Sequence, residues 1–68
     1  MDTIQKLKAE RRILLGDLEY RIEALNYRVN KEEKEPTSLM LGSITLLVLS
    51  LEKIQAQIEI LEKTAGAQ

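Results

Sequence analysis

The chain has 68 residues, a net charge of −1, and neither cysteine nor histidine. A single domain of this length buries too little apolar surface to be very stable alone, and disulfides and the usual zinc or haem ligand sets are excluded. Oligomerisation is the remaining way to stabilise so small a fold, and we expect no metal and no cofactor.

The N-terminal segment MDTIQKLKAE opens a long helical pattern. Asp2, with Gln5 three positions later, fits a capping box and predicts the start of a helix that covers about residues 3–33. The segment has no apolar core of the kind found in signal peptides. We therefore expect a cytoplasmic protein.

One face of this first helix carries an apolar stripe with heptad spacing. A charged residue, Arg11, interrupts it, and an unpaired charge inside an apolar seam is costly. Antiparallel pairing of two helices predicts an ion pair between Arg11 and Glu62, which would fix the register of the helices. The stripe consists of Ile4, Leu7, Arg11, Leu14, Leu18, Ile22, Leu25 and Val29.

A second stripe follows the opposite face of the first helix, and it includes two small residue types, Ala and Gly, that allow close helix contact. Its members are Ala9, Ile13, Gly16, Tyr20, Ala24 and Tyr27. A helix in an isolated amphipathic hairpin needs only one apolar face. The second face predicts an interface with another chain.

A Tyr-Arg pair occurs twice in this helix, one heptad apart, as Tyr20-Arg21 and Tyr27-Arg28. One interpretation places the tyrosines in the second interface, with Arg21 paired to Asp17 one turn earlier. The alternative is a ligand site, because tyrosine stacks on nucleobases and arginine binds phosphate. Clefts between hairpins would then each bind a small anionic molecule such as a nucleotide.

The segment NKEEKEPTS separates the two helical patterns. Pro36 disfavours helix at Glu35, and Thr37 or Ser38 is suited to cap the next helix. We predict a turn near residues 34–37 and a second helix over about 38–65. The fold class is therefore all-α: residues 1–68 form a single antiparallel two-helix hairpin.

The second helix repeats the two-faced pattern. Its seam stripe is Met40, Ile44, Leu47, Leu51, Ile54, Ile58, Leu61 and Ala65, and its second stripe is Gly42, Leu46, Leu49, Lys53, Ala56 and Ile60. Two such helices predict a hairpin that self-associates into an oligomeric helical bundle. The uncharged run from Thr37 to Leu51 is shorter than the roughly 20 residues of a spanning helix, so we do not expect a membrane role.

Catalysis is not expected. The chain lacks the imidazole and thiol groups that most often act as base and nucleophile. Ser38, Ser43 and Ser50 have no candidate base beside them, and the three glycines do not form a phosphate-binding loop.

The first 31 residues contain seven Lys or Arg and five Asp or Glu, whereas the remaining residues contain three and six. The cluster KLKAERR, with Lys8, Arg11 and Arg12, indicates RNA binding as a further alternative. In size and helical layout the chain resembles the Rop type of RNA-binding hairpin, and this resemblance implies binding to RNA. The sequence pI of 5.4 is low for a nucleic-acid-binding protein.

The sequence thus predicts a small, non-catalytic homo-oligomer that acts through protein–protein interaction, as an adaptor, an assembly chaperone or an inhibitor. Such roles are typical of accessory proteins of phages and plasmids. The alternatives are sequestration of a small anionic ligand and Rop-like RNA binding.

Overall fold

The fold is a pair of helices packed against each other. In a computed structural model, which describes residues 2–66, helix α1 spans Thr3–Asn30 and helix α2 spans Ser38–Gly66. The helices contact each other over their length and reverse direction through residues 31–37. The predicted hairpin is confirmed.

Asp2 and Thr37 precede the two helices as caps, although Asp2 bonds to Ile4 and not to the Gln5 of the predicted capping box. The Asp2 carboxylate accepts a hydrogen bond from the Ile4 N–H at 3.3 Å. The Thr37 hydroxyl accepts one from the Met40 N–H at 3.1 Å. Each bond satisfies a backbone donor that has no partner within its helix.

Helix α1 ends at Asn30, so the prediction that it continues to residue 33 was wrong. Glu33 has a left-handed φ of 55°, which no residue in a right-handed helix adopts. The N–H of Lys34 bonds to the carbonyl of Arg28 at 3.0 Å, and the Arg28 Nε donates to the Glu35 carbonyl at 2.7 Å. These bonds hold the chain reversal ahead of Pro36 and shorten the helix.

The hairpin core lies along the predicted seam. Ile58 is buried, with 1% of its surface exposed. The partly buried apolar residues of the seam are Ile4, Leu7, Leu14, Leu18, Leu25, Met40, Ile44, Leu47, Leu51, Ile54 and Leu61. Ile22 and Val29, at the turn end, are more exposed, at 40% and 42%.

The hairpin is long and thin. Its principal extents are 54 × 17 × 14 Å and its radius of gyration is 15.8 Å. A compact domain of the same length has a radius of gyration of about 11 Å. Two helices side by side present most of their surface to solvent, so the seam alone gives a small core.

Candidate interaction surfaces

The outer face of α1, which we define as Ala9, Ile13, Gly16, Tyr20, Ala24 and Tyr27, is exposed throughout. Ile13 and Tyr20 each expose 71% of their surface and Tyr27 exposes 61%. These large side chains alternate with Ala and Gly along the helix. The face is therefore a ridge of apolar projections separated by gaps.

The outer face of α2, defined as Gly42, Leu46, Leu49, Lys53, Ala56 and Ile60, is exposed as well. Leu46, Leu49 and Ile60 expose 67%, 55% and 64% of their surface. Sequence reasoning missed Leu39, which at 80% has the largest exposure among the large apolar residues whose burial is described. Its spacing of seven from Leu46 was the available signal, because it extends the same stripe by one heptad.

Packing within the hairpin requires neither Gly16 nor Gly42. A Cβ atom built on Gly16 or on Gly42 meets no described atom within 4 Å. Each glycine costs its helix about 1 kcal/mol relative to alanine. Packing within the chain does not explain them, whereas a second helix lying close to either position would.

The two Tyr-Arg pairs do not line a single groove. Tyr20, Tyr27 and Arg28 line one shallow groove of about 520 Å³ near the turn, together with Glu23, Ala24, Glu32 and Met40. Arg21, which lies on the same side of α1 as Arg28 two turns earlier, pairs with Asp17, Nε to Oδ1, at 3.2 Å, as the sequence predicts. It lines a separate groove with Ser43, Leu46, Leu47 and Ser50.

The arginine of this groove already has a bonding partner, since the Arg28 Nε donates to the Glu35 carbonyl. Two carboxylates, Glu23 and Glu32, line the same groove. Their negative charge opposes the binding of an anion. The groove therefore combines two tyrosine rings and one arginine with two carboxylates of opposite charge.

The predicted pair between Arg11 and Glu62 was wrong. The Arg11 guanidinium donates to Gln55 Oε1 at 2.6 Å, and the amide of Gln55 donates to Glu59 at 3.2 Å. Glu62 instead forms an ion pair with Lys8 at 3.2 Å. Gln55 lies three residues before Ile58 on α2, and Glu62 lies four residues after it. Lys8, one turn before Arg11, reaches the Glu62 carboxylate at the open end of the hairpin.

These contacts also bear on the proposed RNA-binding cluster. Lys8 and Arg11 are joined to α2 in the hairpin, and Arg12 is exposed. The three side chains therefore do not form a single free cationic row. No observation on this face favours RNA over other partners.

By length and composition alone, α2 is apolar enough to cross a membrane over Ser38–Ala65. The uncharged run from Thr37 to Leu51 is shorter than this segment because it ends before the charged residue Glu52. Within residues 2–66, no cluster of three or more acidic residues is arranged to hold a metal ion.

The fold and its exposed faces define a two-helix hairpin with an exposed apolar face on each helix. No protein-family model, no curated protein and no solved structure matches the chain. The resemblance to Rop-type hairpins thus remains one of size and layout.

Proposed function

We propose that this chain is a small non-catalytic helical protein whose working form is a homo-oligomer, and that it acts in the cytoplasm by binding a protein partner. Adaptor, assembly chaperone and inhibitor are the roles open to such a surface. The observation that carries the proposal is the exposure of the outer faces. Among the residues whose burial is described, Ile58 alone is fully buried, whereas six large apolar residues of the outer faces are more than half exposed.

Burying the exposed outer residues would contribute substantially to the stability of the folded chain. Fully burying a large apolar side chain contributes about 1.5–3 kcal/mol, so burying the exposed part of each outer residue contributes about 1–2 kcal/mol. Soluble monomers rarely leave several such residues in one row. Covering these rows with a second chain stabilises both the helices and the assembly.

The direct test is native mass spectrometry with sedimentation analysis of detergent-free protein over a range of concentrations. The expected result is a discrete multiple of the 7.8 kDa chain. A matched pair of variants reports on the face: Tyr20→Lys is expected to dissociate the assembly, and Glu19→Lys, which places the same side chain one position away, is expected to leave it intact. A bare monomer at 100 µM and above, or protein recovered only with membranes, would contradict the proposal.

A second function, sequestration of a small anionic ligand, has one observation in its favour: Tyr20, Tyr27 and Arg28 line the same groove. Protein purified gently from cells would then carry a passenger that absorbs near 260 nm, where a chain with two Tyr and no Trp absorbs weakly. Binding that survives Tyr27→Phe and is abolished by Arg28→Gln would support this function. Protein free of added mass, together with no heat of binding for nucleotides, would count against it.

A further inference from the structure

The outer face of α1 is complementary to itself when a second copy is turned end for end. Its large residues, Ile13, Tyr20 and Tyr27, stand 61–71% exposed, and its small residues, Ala9, Gly16 and Ala24, leave gaps between them. Antiparallel pairing about a dyad near residue 18 places Tyr27 opposite Ala9 of the second copy. The same register places Tyr20 opposite Gly16 and Ile13 opposite Ala24.

All six positions then meet a residue of the opposite size class, which is how ridges of one helix fill the grooves of another. A parallel arrangement in register has the reverse effect, because Tyr20 meets Tyr20 and Gly16 meets Gly16. The gap at Gly16 is real in the hairpin, where a Cβ atom would meet no described atom within 4 Å. A tyrosine ring from the second copy explains why a glycine stands there.

Charges beside the face agree with the same register. Arg12 lies on one flank of the stripe and comes level with Glu23 of the second copy, and the dyad repeats the pair. On the other flank, Glu10 comes close to the level of Arg28 of the second copy. All four side chains lie on α1, and Arg12, Glu10 and Glu23 are exposed. Lys6 and Lys31 approach each other near the ends, where long side chains can turn to solvent.

The outer face of α2 is less self-complementary. Lys53 stands in the middle of its row, and antiparallel pairing of two α2 helices places Lys53 opposite Leu49, large against large. A mixed contact between α1 and α2 of the next copy places Tyr20 opposite Leu49, again large against large. The α1–α1 contact is free of such pairs.

We propose that two copies of this chain associate through the outer face of α1, antiparallel and about a twofold axis near residue 18. The occupant of the face is thus a second copy of the chain, and the hairpin's α2 face remains available for further association. This inference rests on the proposed function, whose oligomer it specifies.

Disulfide trapping tests the register cleanly, because the chain has no cysteine of its own. Chains carrying Ala9→Cys and chains carrying Tyr27→Cys are mixed and oxidised under mild conditions. A disulfide needs Cα atoms about 4.4–6.8 Å apart, and residues 9 and 27 of one helix are about 27 Å apart. The expected product is a mixed dimer, with neither single variant forming a disulfide dimer alone.

Two results overturn the proposal. Cross-linking of Ala9→Cys with itself indicates a parallel pair, and cross-linking of Ala9→Cys with Ile60→Cys in place of Tyr27→Cys indicates an α1–α2 contact. In both cases a multimeric native mass leaves the proposed function standing. A chain that is monomeric at every concentration would overturn both the proposed function and the proposed α1–α1 contact.

Charge exchange gives a second measurement that does not disturb the apolar face. Arg12→Glu and Glu23→Arg are each expected to raise the dimer Kd about tenfold, since each replaces two attractive pairs by repulsive ones. The double variant is expected to return Kd to within about threefold of the parent. Single variants that weaken association without restoration in the double variant would overturn the assigned register.

Discussion

Ile58 provides the sharpest test of the hairpin itself. It is 1% exposed, while Ile60, two positions later on the same helix, is 64% exposed. Replacing a buried isoleucine by alanine removes its transfer free energy and leaves a cavity, at a cost of about 2–5 kcal/mol. The same change at Ile60 removes atoms that the hairpin leaves mainly in water.

The size of the Ile58→Ala effect has to be compared with the total stability. Domains of this length rarely exceed about 3–5 kcal/mol from their core. Losing about 2–5 kcal/mol is therefore expected to leave Ile58→Ala largely unfolded at 25 °C. Ile60→Ala is expected to retain helix in a single hairpin, because alanine also has the higher helix propensity.

Urea unfolding followed by far-ultraviolet circular dichroism measures both variants against the parent at matched concentration. The reasoning is refuted if Ile58→Ala lowers the free energy of unfolding by less than about 1 kcal/mol. A large loss in Ile60→Ala that appears only at high protein concentration has a different meaning. It would show that the outer face of α2 is covered in the assembly.

Three further variants test local features of the hairpin. Thr37→Ala removes the cap of α2 and is expected to lower stability by about 1 kcal/mol, or the melting temperature by about 4–8 °C, while Thr45→Ala, within the helix, changes it little. Glu33→Gly is expected to raise the melting temperature by a few degrees, because glycine adopts the left-handed φ of 55° without strain; a fall would refute that explanation. Lys8→Ala breaks the exposed pair with Glu62 and is expected to cost less than about 1 kcal/mol, a difference that disappears in 1 M salt; a loss that persists in salt would show that packing dominates.

Features set by short-range rules could be predicted from the sequence. The seam follows from heptad spacing, and the buried residue Ile58 is the sixth of the eight seam positions on α2. The cap at Thr37 and the pair between Asp17 and Arg21 depend on residues three or four positions apart. In each case the chemistry is decided within one helical turn, so one sequence contains the required information.

Contacts for which several residues compete could not be predicted from the sequence. Two polar residues of α2, Gln55 and Glu62, were within reach of Arg11, and charge alone favoured the carboxylate. The pairing of Lys8 with Glu62 leaves Arg11 to bond Gln55. The end of α1 likewise depends on two bonds across the turn, from the Arg28 guanidinium to the Glu35 carbonyl and from the Lys34 N–H to the Arg28 carbonyl. The helix propensities of residues 31–33 do not account for such bonds. The outer faces were identified by periodicity, but a single chain does not contain the partner that covers them.

If the hairpin associates as we propose, the narrow seam and the exposed outer faces couple folding to association. Because the hairpin alone gives a small core, any contact that covers an outer face contributes a large fraction of the total stability. Partner binding stabilises the folded state in proportion to the logarithm of free partner concentration. The melting temperature should therefore rise with chain concentration, and a variant such as Tyr20→Lys should both dissociate the assembly and lower that temperature. On the proposed function, we therefore expect the hairpin to be folded mainly where it is concentrated or bound to its partner.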